Sequence, residues 1–209
     1  MCLFKLENVE YLDVIKYPDL KISTGITTFI CGDSGTGKST LLSLLNNSKS
    51  PSKGYISYLG KPIDDYDTIE HRKQVILVNQ SVYLFDMTVR ENFHEFYKYR
   101  ELQKPDDDKI KKYLKLCIAD FSLDAMCQNM SGGERQRIFL AICLSFMPKV
   151  ILLDEPTSAL DEKNAGKLIG NVKSYCTENN IALIIVSHSK QLAKQYADDC
   201  IELKKEVEA

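Results

Sequence analysis

The sequence predicts an α/β fold, a mostly parallel β-sheet flanked by helices on both faces, with an N-terminal antiparallel β subdomain and a helical insertion. Three observations predict it. Short apolar runs recur at Thr27–Cys31, Val75–Val78, Val150–Leu153 and Ala182–Val186, with helical stretches ahead of the later ones, as strands buried on both faces require. The run at 27–31 passes into an apolar helix through Gly32, Gly37, Lys38 and Ser39, which fit the pattern G-x-x-x-x-G-K-[ST] in the strand–loop–helix context that pattern needs. From Ser81 to Met130 the strand pattern gives way to aromatic, charged and helical patches.

Taken in order, Cys2–Val9 alternates as a half-buried strand, and Leu20–Ser23 pairs near it before a turn at Thr24-Gly25. Leu41, Leu42, Leu44 and Leu45 give the helix after the glycine-rich loop its core face. Pro51–Gly54 is a turn cluster, Tyr55–Leu59 a strand, Asp67–Lys73 a short helix, and Val75–Val78 a central strand. Inside the insertion, Lys104-Pro105 breaks the chain, and Asp106, Asp107 and Asp108 cap a helix that begins near Lys109. Ser131, Gly132, Gly133 and Glu134 open the long helix Arg135–Phe146. The chain therefore reads as one domain, with residues 1–80 and 131–209 forming a nucleotide-binding core and 81–130 a helical subdomain.

The composition bounds what such a domain does. At 209 residues, 44% hydrophobic and 27% charged, the chain buries one substantial core. A net charge of −2 argues against direct nucleic-acid binding, which needs a basic surface to neutralise phosphates. Seven cysteines with no C-x-x-C pair read as reduced thiols in a cytosolic chain, Cys31 and Cys143 serving as small hydrophobes within apolar runs. No signal pattern opens the sequence and no apolar stretch approaches 18 residues, so any membrane is reached through a partner.

The loop chemistry is specific. A triphosphate brings several negative charges, and backbone N–H groups at a helix N-terminus meet them with aligned donors and a favourable dipole. The stretch Gly32, Asp33, Ser34, Gly35, Thr36, Gly37, Lys38, Ser39 and Thr40 supplies such a cradle, with Lys38 as a point charge between phosphates and the Ser39 hydroxyl as a Mg²⁺ ligand. Asp154 and Glu155 follow the apolar run 150–153, where one carboxylate would hold Mg²⁺ and the next would orient an attacking water. His188 follows the run 182–186, placed either to polarise that water or to brace the structure, whereas His71 and His94 read as solvated or packed. The Ser131-Gly132-Gly133 helix start repeats the anion-binding arrangement, which makes sense if it faces a nucleotide held by another subunit.

In their order, residues 32–40, Gln80, the stretch 130–137, the stretch 151–156, Ser158–Asp161 and His188 resemble the nucleotide-binding subunits of ABC transporters, from about Leu6 to Leu203. The resemblance implies a P-loop NTPase with ATP and Mg²⁺ as cofactors. It implies catalytic roles for Lys38, for Glu155 as base, for His188 as switch histidine, and for Gln80 as the Q-loop glutamine reaching Mg²⁺ and the water. Mg²⁺ would be held by Ser39, Gln80 and Asp154. Ser131, Gly132 and Gly133 would contact the γ-phosphate held by the opposing subunit, with Asp161 crossing the dimer interface. The aromatic that stacks on adenine would be Tyr11, with Tyr17 as its rival. Met130 and Glu134 depart from the usual leucine and glutamine, yet should keep the helix-start geometry. The chain is short for the family, leaving no room for a C-terminal regulatory domain.

Three stretches, 6–11, 146–155 and 158–164, look most like the small ATP-binding subunits assigned to iron export. The resemblance implies an ATP-sandwich homodimer or heterodimer, docked on the cytoplasmic face of the cell membrane through an integral-membrane permease subunit. The permease would sit near Gln80–Glu91, on Tyr83, Leu84 and Phe85 as exposed apolar anchors. The alternative is a soluble ABC ATPase without a membrane partner, acting in cofactor assembly or nucleic-acid remodelling.

Overall fold

A computed structural model describes residues 1–204; residues 205–209, the end of the 131–209 core segment, lie outside the described residues. The chain begins with β1 (Cys2–Tyr11), β2 (Ile15–Lys16), β3 (Leu20–Ser23) and β4 (Thr27–Gly32), followed by α1 (Lys38–Leu45). Next come β5 (Lys53–Tyr58), β6 (Lys61–Pro62), α2 (Thr68–Gln74) and β7 (Val75–Val78). The helices α3 (Val89–Tyr99), α4 (Asp107–Leu116) and α5 (Gly132–Ser145) precede β8 (Val150–Asp154). The chain then runs through α6 (Glu162–Glu178), β9 (Ala182–Val186), α7 (Lys190–Tyr196) and β10 (Asp199–Leu203).

Alternation in β1 turns Phe4 and Leu6 inward, and this long strand pairs antiparallel with β2, β3 and β5, while β6 extends β5. The main sheet is parallel throughout, in the order β10-β4-β9-β8-β7. Its apolar strands serve two cores at once. Phe29, Ile151, Leu153, Leu183 and Ile185 face a cluster with Phe93, Ile138 and Leu168 from the helices. Their neighbours Ile30, Val150, Leu152, Ile184 and Val186 face Leu41 and Leu42 of α1 and Phe4 and Ile56 of the antiparallel sheet. A strand covered on both faces has no position free for a polar residue, which is why these runs are nearly continuous.

Two sequence expectations change. Val75–Val78 is not a central strand but the edge of the parallel sheet, bonded only to β8. Its run is apolar because Ile76 and Val78 join one core and Val75 the other, so burial of both faces, not centrality, shaped it. The opposite edge, β10, escaped the sequence reading: Asp199 and Glu202 interrupt a strand of which only Leu203 is buried.

The insertion is capped as its sequence requires. Thr88 and Glu91 form a capping box on α3, and the Asp106 carboxylate accepts from the Lys109 N–H at the start of α4. Arg90 ties the two helices through Asp107 at 3.0 Å. Val89, Phe93, Ile110 and Leu114 share one hydrophobic cluster with Ile151 of the sheet, so the insertion is packed onto the core without a core of its own. No helix among the described residues is long and apolar enough to cross a membrane.

Candidate functional site

The C-terminal ends of β4, β8 and β9, adjacent strands of one sheet, deliver the loop 32–37, the pair Asp154-Glu155 and His188 to a single edge. That is where open parallel sheets collect ligands. Two loop glycines are demanded by space as well as by backbone angle. Gly32 has φ 143°, and a Cβ there would stand 2.2 Å from the Leu203 carbonyl oxygen. Gly37 has φ 89°, and a Cβ there would stand 2.8 Å from the Tyr17 hydroxyl. Lys38 is buried, its ammonium donating to the Gly32 and Asp33 carbonyls at 2.8 Å each, and the Thr36 hydroxyl donates to the Asp33 carbonyl at 3.0 Å.

The Ser39 hydroxyl donates to Asp154 Oδ1 at 3.0 Å, uniting a loop hydroxyl with a strand-end carboxylate far away in the chain. Hydroxyl plus carboxylate is the oxygen donor set that Mg²⁺ prefers beside phosphates. Glu155 follows with φ 49°, a left-handed conformation that costs a non-glycine residue about 1–3 kcal/mol and is characteristically held at functional sites. Its Oε1 is buried and lies 3.3 Å from His188 Nε2, an approach short of a hydrogen bond that leaves the oxygen free to accept another. Burial, with Asp154 alongside, pushes the Glu155 carboxyl above its ordinary value, while His188 and Lys38 pull the other way. An orphaned carboxylate oxygen, a buried ammonium and glycines that a Cβ would obstruct together fit a triphosphate with its metal.

A cavity of about 360 Å³ takes in Ser34, Gly35, Gly37, Lys38, Ser39 and Thr40, together with Gln80, Glu155 and His188. Gly32, Asp33 and Ser34 line a neighbouring cavity with His188. The remaining site residues stand elsewhere. Asp161 caps α6, its carboxylate accepting from the Asn164 N–H at 2.9 Å, and lines a cavity of about 630 Å³ between α6 and α7 that contains no loop residue. Ser131, Gly132 and Gly133 open α5 on the surface. There Glu134 accepts from both the Ser131 N–H at 2.8 Å and the Ser131 hydroxyl at 2.7 Å, so the departure from glutamine does preserve a capped helix start.

Neither tyrosine reaches the phosphate cavity; Ile15 does. Tyr17 is 5% exposed and its hydroxyl donates to the Gly37 carbonyl at 2.8 Å, which makes it a brace beneath the loop. Tyr11 is half-buried with the Lys49 ammonium 5.0 Å from its ring centre. Leu84 is corrected outright: it is 1% exposed and packs in the core, because the segment turns it inward between Tyr83, which is 68% exposed, and the half-buried Phe85. Tyr83, Phe85, Phe96 and Tyr99 form a contiguous aromatic surface around Phe85.

Three positioning residues escaped the sequence reading. Gln136 is buried in α5, and its amide donates to the Asn79 carbonyl at 3.2 Å and the Asp154 carbonyl at 3.3 Å, joining the strand ends that carry Gln80 and Glu155. Arg135 donates to the Leu84 and Cys127 carbonyls at 3.0 and 2.9 Å. Asn92, also buried, clamps both backbone groups of Phe85. For Gln136 the signal was present, since it shares a helical stripe with Leu140, Cys143 and Leu144 and is the one polar member of it.

A family model described as "ABC transporter" matches residues 15–158. The chain is 36% identical over 207 residues to the "Probable iron export ATP-binding protein FetA" of Escherichia coli K12, covering 97% of this chain and 91% of that protein. It is 33% identical over 205 residues to the "Glutamine transport ATP-binding protein GlnQ" of Bacillus subtilis, covering 95% and 84%. Among solved structures, cbiO1 from Clostridium perfringens, described as part of the ABC transporter complex cbiONQ, superimposes with a TM-score of 0.82 at 27% identity, covering 98% of this chain and 85% of that one.

Proposed function

The chain belongs to the ABC transporter family as an ATP-hydrolysing, ATP-binding subunit, and from that premise we propose that it works as one half of an ATP sandwich that drives a membrane permease. One observation carries the reading. The loop cavity holds Lys38, Ser39, Glu155 and His188 but no part of the Ser131–Gly133 helix start, whose Ser131 and Gly132 lie exposed on the surface. A second copy, or a paralogous partner, would bring its own Ser131–Gly133 to the γ-phosphate and close the site from the other side.

In this arrangement the loop amides and Lys38 hold the phosphates. Ser39, Asp154 and Gln80 would hold Mg²⁺, which would offset phosphate charge. Glu155 is the base: with its carboxyl pushed up by burial it is a better proton acceptor than an exposed glutamate, and its unpaired oxygen is available to a water. His188 steadies that oxygen from 3.3 Å. Tyr11 stacks on adenine, and Asp161 crosses to the partner. Closure on ATP and reopening after hydrolysis would turn phosphate chemistry into movement of the permease.

The permease would dock on the Tyr83 and Phe85 surface, placing the protein at the cytoplasmic face of the cell membrane. Iron export is the cargo we propose, supported by the similarity to FetA over nearly the whole of both chains. The dimer is tested by sedimentation of Glu155→Gln with saturating ATP and Mg²⁺: binding without turnover should give a stable dimer, and a monomer under those conditions would overturn the sandwich.

A further inference from the structure

We propose that Cys31 and Cys200 form a reversible dithiol modification site at the foot of the phosphate loop, closed by small-molecule disulfides or hydroperoxides, and that closure weakens nucleotide binding. This goes beyond the ATPase reading, and its first readout needs no nucleotide. Cys31 is the residue before Gly32 on β4, and Cys200 lies on the adjacent strand β10, in register with Phe29. Cys31 lies two positions beyond Phe29 on β4, so both thiols project from the same face of the sheet. The Cys200 thiol donates to the Cys31 sulfur at 3.4 Å. A disulfide requires about 2.05 Å, and because Cys31 is paired with Glu202 rather than with Cys200, closing the gap takes a shift of the backbone at the exposed edge strand as well as side-chain rotation.

Access differs between the two thiols, and that sets the order of reaction. Cys200 is exposed, whereas Cys31 is half-buried and opens on a cavity of about 490 Å³ shared with Gly32, Asp33, His188 and Glu202. Burial and the neighbouring Cys200 thiol push Cys31 up to about 11, so it is the poorer nucleophile. Cys200 therefore reacts first. With a disulfide RSSR it loses its proton and attacks one sulfur, giving a mixed disulfide and one RSH. Cys31 then loses its proton and attacks the Cys200 sulfur, forming the internal bond and releasing the second RSH. With a hydroperoxide ROOH, Cys200 becomes a sulfenic acid as ROH leaves, and Cys31 condenses with it, releasing water. Cys117, Cys127, Cys143 and Cys176 are buried and take no part.

Closure matters because this corner has no slack. The Leu203 carbonyl of β10 already occupies the space where a Gly32 Cβ would be, and the Gly32 carbonyl receives the Lys38 ammonium. Drawing Cys31 toward β10 moves the residue from which the loop springs, and with it the acceptor that places Lys38.

The test uses the purified full chain exposed to oxidised glutathione, then alkylated and digested with trypsin. Residues 22–38 and 195–204 are tryptic peptides with one cysteine each. The expected result is a cross-link between those two peptides, a loss of threefold or more in affinity for a fluorescent ATP analogue, and recovery of both with dithiothreitol. Cys200→Ser should bind nucleotide as the reduced protein does and be insensitive to the oxidant. Glutathione retained on Cys200 with no cross-link would overturn the dithiol, and a complete cross-link with unchanged affinity would overturn the control of binding.

Discussion

The two glycines that open α5 have different reasons to be glycine, and adding one methyl group to each separates folding from function. A Cβ on Gly132 meets nothing within 4 Å, whereas one on Gly133 would stand 2.6 Å from the Ala159 Cβ. Carbon atoms rest comfortably at about 3.5–4.0 Å, so Gly133→Ala asks α5 and the 158–161 turn to part by roughly 1 Å. Overpacking of that kind costs about 1–3 kcal/mol. The gain in helix propensity from glycine to alanine is about 0.5–1 kcal/mol and offsets part of it. A net loss of roughly 0.5–2 kcal/mol, at about 2–4 °C per kcal/mol for a domain of this size, lowers Tm by approximately 1–8 °C. Gly132→Ala, with open space around it, should leave Tm unchanged or slightly raised.

The assay is thermal unfolding by circular dichroism without nucleotide, paired with ATP-driven association in the Glu155→Gln background. There the ranking should reverse in severity: the Gly132 methyl would stand between an exposed helix start and the phosphate that approaches it, impairing association in a variant of full stability. A Gly132→Ala loss of Tm equal to that of Gly133→Ala, or a Gly133→Ala variant as stable as the parent, would refute the contact with Ala159 as the reason for glycine at 133.

Glu155→Gln should also report on pH. Because the folded-state carboxyl is raised above its ordinary value of 4.5, it is neutral in both states at low pH, and it destabilises the fold as pH rises through the folded value. The variant should therefore melt higher than the parent at neutral pH, with the gain vanishing below 4.5; a gain equal at both pH values would contradict burial as the cause. Gln136→Met keeps the length of the side chain but removes the donor to the Asn79 carbonyl and strands the buried Asp154 carbonyl, at about 1–3 kcal/mol for a buried unsatisfied group. Urea melts should show that loss, and kcat should fall more than KM for ATP changes, since strand ends move while the loop does not. Lys38→Ala should raise the Kd for ATP more than tenfold by calorimetry, with the far-ultraviolet spectrum preserved.

Legibility in the sequence tracked how local the determining interaction is. The phosphate loop, the cap at Asp106, the helix start at Ser131–Gly133 and the apolar strands were readable because each is written in a few adjacent residues: positive φ at Gly37, a carboxylate three residues before its N–H, alternation between two cores. What was not readable depends on partners far away in the chain. Val75–Val78 has the composition of a central strand because two cores cover it, and nothing local records that it has hydrogen bonds on one side only. Leu84 between two aromatic residues looked like part of a surface, yet Arg135 on α5 and the amide of Asn92 hold the peptide that joins Leu84 to Phe85, and the Leu84 side chain packs inward. Tyr17 offered a π face in sequence; in the fold the Gly37 carbonyl claims its hydroxyl.

A set of long-range contacts converges on α5 and gives the surface helix start a route to the chemistry. Its first turn meets the turn before Asp161 through Gly133 and Ala159. Two residues further along, Arg135 holds the backbone of the segment after Gln80, and the next, Gln136, holds the carbonyls of Asn79 and Asp154. The residues that would bind a facing phosphate, those that carry the proposed permease surface and those that would hold the metal are thus fastened to one rigid element within two helical turns. A shift of α5 on engaging a partner's nucleotide cannot be confined to its own N-terminus: either Gln136 gives up buried hydrogen bonds, or the ends of β7 and β8 follow it. The second course avoids stranding the buried Asp154 carbonyl, and it moves Gln80 and Glu155 together.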